Sequence, residues 1–362
     1  MSPKKIKRFP ASNILLIQLG DIGDVVLTTP TIRAVKANYP DARVSIMVRK
    51  PFGSLLAADS HLFEVVESTK PNGSLANKLK EYLGFVFRLR KARYDLVIDL
   101  RTGDRGAFLS FLTGAKERVG FRGSRSFWHS MMFTTVIQDI HADPLATHQG
   151  ADQSLRVIRS IGIDIENSIP HLTIGGKDRE RVIELLEELG PVLNSAFATI
   201  NPCSRWKYKE WGYEKWGYVA DYLWREYKLS TVLVGAPEDR KVLDEIVDSR
   251  ENHVFNLAGK TTLGELAALL SMSDLHLGVD SAAPHIAFAV GAPTVTVFGP
   301  GNWSGWTVTD NLHRVVTSAM ICVPCNRKGC DDLGHSRCID ELSVDSVIQS
   351  AVEVLRYKRL QS

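Results

Sequence analysis

The sequence predicts a doubled α/β fold: two Rossmann-like units in series, each a parallel sheet covered by helices. Three observations predict it. Short β-branched runs alternate with amphipathic segments from Asn13 onward, and strands alternating with helical crossovers build parallel sheets. The rhythm breaks in a charged stretch ending at Gly190-Pro191, then restarts at Phe197. The chain of 362 residues is also too long for one ordinary domain and fits two. The expected division is 1–180 and 181–345, followed by a C-terminal helix over 346–362.

In the first half, "NILLIQL" (13–19) reads as a strand and "TTPTIRAVKANYP" (28–40) as a helix stopped by Pro40. "ARVSIMVRK" (42–50) is a second strand and "DLVIDL" (95–100) a third. Between them, "LANKLKEYLGFVFRLRKARY" (75–94) has helical spacing, with Leu79, Leu83, Val86 and Leu89 on one face and cations opposite. Residues 115–150, rich in Arg, Phe, His and Ser, read as connecting loops. In the second half the strands are "FATINP", "LSTVLVGAP", "VFNLAG", "DLHLGVD" and "PTVTVFG", with amphipathic helices between them. "VDSVIQSAVEVLRYKRL" (344–360) closes the chain as a helix. Two such units in series are expected to set a cleft between the carboxyl ends of two sheets, where α/β folds bind ligands.

Composition narrows the function. Hydrophobic residues make up 44% and charged residues 23%, as in a globular protein with true cores. A formal net charge of +3 argues against a dedicated nucleic-acid binder. No apolar run reaches the roughly 18 residues of a membrane span. The start, "MSPKKIKRFPAS", runs into a strand and not into a signal sequence, so a cytosolic setting is expected. Its Lys4, Lys5, Lys7 and Arg8 are either a solvated tail or a contact with an anionic membrane surface.

Four candidate sites follow predicted strands. In "LIQLGDIGDVVLTTP" (16–30) a strand, a glycine turn and a helix resemble a phosphate loop, but Gly20 and Gly23 are each followed by an aspartate. Asp24 falls in the first helical turn, either as a cap or as a reactive carboxylate. "NPCSRWKYKEW" (201–211) gathers Ser204, Arg205, Lys207 and Lys209 among Trp206 and Trp211. Those hydroxyl and cationic donors suit a phosphate. In "GVDSAAPHIAFAV" (278–290) a strand ends at Asp280, and Ser281, Ala282 and Ala283 open a helix. Small residues there let an anion approach free N–H groups, and His285 is either packing or ligand. In "GAPEDR", Glu238 or Asp239 could bind a ribose diol.

Of the five cysteines, Cys203 stands alone while Cys322, Cys325, Cys330 and Cys338 cluster. Zinc or an iron–sulfur cluster, reduced structural thiols, and disulfides are the readings open to them.

Taken together, "GDIGDVVLTTP", "NPCSRWKYKEW", "GAPEDR" and "NLAGKTTLGELAALLSMSDLHLGVDSAAPHIAFAVGAPTVTVFGP" resemble glycosyltransferase family 9, the bacterial ADP-heptose:lipopolysaccharide heptosyltransferases, over about residues 12–355. Within that family the "GVDSAAPHIAFAV" segment stands closer to the third, branch-adding heptosyltransferases than to the first. The resemblance implies a GT-B fold with an N-terminal acceptor domain and a C-terminal nucleotide-sugar domain. It also implies inverting transfer of heptose from ADP-L-glycero-D-manno-heptose to the Kdo/heptose–lipid A inner core of lipopolysaccharide, with no cofactor required. By the same resemblance Asp24 is the general base. Lys209 and Ser204 neutralise the diphosphate, Glu238 holds the nucleotide, and Asp280, Ser281, Ala282 and His285 line the donor. Arg101, Arg105, Arg122 and Arg125 are candidates for acceptor anions, and the enzyme is expected at the cytoplasmic face of the inner membrane. The alternatives are transfer from another nucleotide sugar and a non-catalytic nucleotide-sugar binding protein. A nicotinamide-dependent sugar-modifying enzyme lacks support, because no G-x-G-x-x-G follows the first strand.

Overall fold

The computed structural model describes residues 9–69, 73–122, 127–138, 148–190, 196–250, 253–330 and 334–361. The chain divides into two compact units, Met1–Pro170 and His171–Ser362. The expected division at 180/181 would have cut the helix Gly176–Glu188. Its Val182 and Leu186 pack with Phe197, Val232 and Leu269, so it folds with the second unit.

Unit 1 begins with β1 (Asn13–Gln18), α1 (Ile22–Leu27), α2 (Thr29–Asn38), β2 (Arg43–Arg49) and β3 (Glu64–Ser68). It continues through α3 (Leu75–Lys91), β4 (Leu96–Asp99), α4 (Asp104–Leu112) and β5 (Glu117–Phe121). Then come α5 (Phe127–Met131), β6 (Thr135–Ile137) and α6 (Gln149–Arg159). The six strands are parallel in the order β3-β2-β1-β4-β5-β6. β1 and β4 are buried along their whole length, which is why both read as unbroken apolar runs without alternation.

Unit 2 opens with α7 (Gly176–Glu188), β7 (Phe197–Asn201), α8 (Tyr213–Tyr227), β8 (Ser230–Leu233) and α9 (Arg240–Asp248). Next are β9 (Val254–Asn256), α10 (Leu263–Met272), β10 (Leu275–Val279), α11 (Ala282–Ala289) and β11 (Thr294–Phe298). β12 (His313–Thr317), α12 (Arg337–Asp340) and α13 (Val344–Gln361) complete it. Its sheet order, β12-β11-β10-β7-β8-β9, is again all parallel. Counted from its own first strand this is the arrangement of unit 1, the dinucleotide-fold order 3-2-1-4-5-6.

Three expectations need correction. Residues 115–150 are not only loops, because β5, α5 and β6 lie there; β5 is short and only partly buried and β6 is a three-residue strand at the sheet edge, so their apolar signal is weak. β3 and β12, also outermost, were not expected either. In α3 the inward face is Tyr82, Phe85, Val86 and Leu89, while Leu79 and Leu83 point to solvent.

Candidate active site

In a sheet of this order the chain leaves the two central strands in opposite directions, and the crevice beyond their carboxyl ends is the expected ligand site. In unit 1 those strands are β1 and β4, with Ile17 beside Asp99 in register. Asp21 caps α1, and Asp24, three residues on, returns a bond through Oδ2 to the Asp21 N–H at 2.8 Å. Its Oδ1 accepts from Arg101 Nη1 at 2.7 Å, from the segment after β4. The Asp24 side chain is 13% exposed. Gly20 makes room for it: a Cβ there would lie 2.3 Å from Asp24 Oδ2. Gln18 ties the turn together, donating to Thr28 Oγ1 at 2.7 Å and accepting from the Gly20 N–H at 3.1 Å. Asp24 therefore caps the helix and also lies beyond the carboxyl end of β1, where the crevice of this sheet is expected.

Beneath this pair lies Asp99, fully buried at the end of β4. Burial pushes its carboxyl up to about 8, against the opposing pull of the Arg101 N–H and charge. Oδ1 accepts from the Arg101 N–H at 3.1 Å, and Oδ2 has no partner among the described residues. The unfolded group titrates near 3.8, so between about pH 4 and pH 8 the folded chain holds the extra proton. The contribution of this group to stability falls as pH rises through that window. Asp99→Asn keeps an oxygen for Arg101 and should remove a decline of up to a few kcal/mol. Urea unfolding at a series of pH values checks this, and an unchanged decline in the variant would contradict it.

In unit 2 the corresponding strands are β7 and β10. The segment after β7 carries Ser204 and Lys209, and the one after β10 carries Asp280 and Ser281. Lys209 Nζ and Asp280 Oδ2 pair at 2.6 Å, with side chains 22% and 16% exposed. Ser204 Oγ lies 3.4 Å from the Asp280 carbonyl and accepts from the Trp206 N–H at the same distance. Ser281 is the N-cap of α11, and its buried Oγ has no partner among the described residues. Ala282 opens that helix half-buried, and His285 lies half-buried one turn along it. The first N–H groups of α11, with roughly half a positive charge from the helix dipole, favour an anion here. The loop is anchored by Trp211, which is buried edge-on to Trp216 at 4.8 Å and donates to the Leu342 carbonyl at 3.0 Å. Trp206 is instead 43% exposed, so only one of the two tryptophans is packing.

Comparison with known proteins narrows the class. The profile of "Glycosyltransferase family 9 (heptosyltransferase)" matches residues 84–334. The chain belongs to that family. It is 28% identical over 292 residues to the lipopolysaccharide heptosyltransferase 3 of Escherichia coli, covering 79% of this chain and 84% of that one. Among solved structures it superposes on the glycosyl transferase family 9 protein of Veillonella parvula DSM 2008 with a TM-score of 0.80 at 22% identity, covering 96% and 97% of the two chains. It also superposes on the E. coli ADP-heptose lipopolysaccharide heptosyltransferase II with a TM-score of 0.79 at 20% identity, covering 96% and 99%. At such identities the superpositions speak for the fold, two parallel-sheet domains of the GT-B class, as the sequence predicted. As a member of family 9 the protein is a glycosyltransferase.

The other expected residues of this family 9 enzyme are dispersed. Arg105 donates to Ser68 Oγ at 2.7 Å and to the Thr69 carbonyl at 3.2 Å. Burial, with Arg49 nearby, holds its pKa below the usual arginine value. Arg122 is exposed just after β5, and Arg125 falls outside the described residues, as do Lys4, Lys5, Lys7 and Arg8. Of the Glu238/Asp239 pair, Asp239 Oδ2 accepts from the Ala236 N–H at 2.8 Å, shaping the turn, while Glu238 is exposed. The cysteines are all free, with Cys322 exposed and Cys338 buried. Burial and then the neighbouring thiols Cys330, Cys325 and Cys322 push Cys338 up to about 11. No group of three or more His, Cys, Asp or Glu among the described residues is arranged to hold a metal, so the zinc or iron–sulfur reading, one of the three open to these cysteines, gains no assembled site there. Residues 331–333, inside the cysteine segment, lie outside the described residues.

Sequence reasoning passed over Arg49, Gln18 and Asp99. Arg49 ends β2 beside β1, donates through Nε to the Gly20 carbonyl at 2.8 Å and pairs with Asp21. That pair gives Asp21 its role in shaping the turn. A polar residue at the end of an inner strand was the available signal in all three cases.

Proposed function

We propose that this protein is an inverting heptosyltransferase that moves heptose from ADP-L-glycero-D-manno-heptose to the inner core of lipopolysaccharide without a metal ion. The observation that carries the reading is the opposite chemistry at two equivalent places. The switch point of unit 1 presents a shielded carboxylate, Asp24, and that of unit 2 presents Lys209, Ser281 and the start of α11. A hydroxyl nucleophile needs a base and a diphosphate leaving group needs cations and N–H donors.

In this reading Asp24 takes the proton of the acceptor hydroxyl as its oxygen bonds to the anomeric carbon. The bond from that carbon to the diphosphate oxygen breaks on the opposite face, and ADP leaves with the electron pair. Lys209, Ser204 and the α11 N–H groups meet the charge that develops on the diphosphate. Asp280, which fixes the Lys209 ammonium, also offers acceptors to sugar hydroxyls beside His285, and Glu238 takes the ribose diol. The Arg101 guanidinium orients the Asp24 carboxylate, which leaves Arg105 and Arg122 for the Kdo carboxylates and phosphates of the acceptor. With a lipid-anchored acceptor the enzyme works peripherally at the cytoplasmic face of the inner membrane. No helix among the described residues is long and apolar enough to cross that membrane.

The test is transfer from ADP-heptose to a truncated core acceptor in the presence of EDTA, with the anomeric configuration of the product read by NMR. Undiminished transfer with inversion is expected. Retention, or a rate lost to chelation and restored by a divalent ion, would contradict the mechanism. Elemental analysis of the same preparation addresses the cysteines, because active protein free of zinc and iron removes both metal readings.

A further inference from the structure

One helix of unit 1 carries a face that its own core does not use. α3 buries Leu89 and half-buries Tyr82, Phe85 and Val86. The row spaced by four residues along its outer side is apolar as well: Leu75, Leu79, Leu83 and Phe87 are 86%, 60%, 57% and 69% exposed. Scattered exposed leucines are ordinary, but an aligned row over three turns is a patch. The charges on α3 are equally one-sided, with Lys78, Lys80, Arg88, Arg90 and Lys91 against the single acid Glu81. At about 100° per residue, Lys80 and Lys91 fall on the shoulder of the row beside Phe87, Arg90 falls in line with it, and Glu81 falls on the far side. The patch extends onto α4, which packs against α3. Arg90 Nε donates to the Leu112 carbonyl at 3.2 Å at the end of α4. Near that end Phe108 and Phe111 are half-exposed, with Arg118 over the Phe111 ring at 5.7 Å.

We propose that this face docks unit 1 onto the surface of an anionic lipid bilayer. Leu75, Leu79, Leu83 and Phe87 enter the boundary between headgroups and acyl chains, and Lys80, Arg90 and Lys91 meet lipid phosphates. The charge pattern selects this occupant. An apolar row with cations along its outer shoulder and in line with it, and its one acid turned away, is how an in-plane membrane helix is built. A second copy of the chain on the same face would set these cations against one another around a two-fold axis. The docking rests on the reading above, in which the acceptor is itself anchored in a membrane.

The test uses the full chain, co-sedimented with vesicles of phosphatidylglycerol and phosphatidylethanolamine, and with vesicles of phosphatidylcholine alone. Binding to the anionic vesicles, weakened by salt, is expected. The double variant Leu83→Glu/Phe87→Glu should weaken it at least about tenfold. Lys80→Glu/Lys91→Glu should weaken it by about fivefold or more per charge. Both variants should keep the wild-type circular dichroism and turnover on a deacylated, water-soluble acceptor, while slowing on the same acceptor displayed in vesicles. Variants that bind vesicles as the wild type does would overturn the proposal. A wild type that ignores vesicles but self-associates, with the variants monomeric, would overturn it in favour of a second copy. Loss of vesicle binding in variants of a protein that transfers no sugar would leave the docking standing and remove the heptosyltransferase reading instead.

Discussion

Asp24→Asn should lose about two to four orders of magnitude in kcat for heptosyl transfer while binding ADP as tightly as the wild type. The substitution keeps an oxygen for the Asp21 N–H, so the capping bond of α1 survives. What it removes is the basic carboxylate and its charge pairing with Arg101. Asp24→Ala removes the cap as well and should cost about 1 kcal/mol of stability on top of the same kinetic loss. Comparing the two separates chemistry from folding, because a residue that only capped the helix would leave Asn with near-normal turnover. Titration calorimetry with ADP and initial rates with a truncated core acceptor make both measurements. Asp24→Asn with undiminished turnover removes the base assignment, while binding kept and transfer lost sets aside a purely binding protein.

Lys209→Ala should cost about two to three orders of magnitude in kcat, the scale of removing one preorganised donor to developing negative charge. Here the loss should also appear in ADP affinity, since the diphosphate is present before and after transfer. The Lys209–Asp280 pair makes a further distinction testable. If Lys209 served only to neutralise Asp280, then Lys209→Ala/Asp280→Asn, which removes the charge and keeps an oxygen for the sugar hydroxyl, would restore the rate. In the proposed mechanism that double variant is no better than Lys209→Ala alone. A double variant with recovered turnover would assign Lys209 to structure.

The strands that build both sites were legible because they are central. β1, β4, β7, β10 and β11 are buried along nearly their whole lengths, so their apolar runs stand out, and the glycine and acidic residues after them mark the crevice. The outermost strands β3, β6, β9 and β12 are short or half-buried, and three of those four escaped notice. In the site, Asp24, Lys209 and Asp280 could be picked out because each follows a central strand. The pairing of Arg101 with Asp24 could not be read, because it joins segments 77 residues apart in the chain, and Arg101 was expected only at acceptor anions. α3 misled for a related reason. Its sequence carries two apolar rows, and periodicity alone does not say which one the sheet covers.

Donor selection tests the central claim most directly. The full-length protein would be assayed with ADP-heptose, GDP-sugars and UDP-sugars, each against truncated lipopolysaccharide core acceptors. The mechanism predicts transfer from ADP-heptose that depends on Asp24 and Lys209. Transfer from a uridine-linked sugar alone, with ADP-heptose inert, would contradict it.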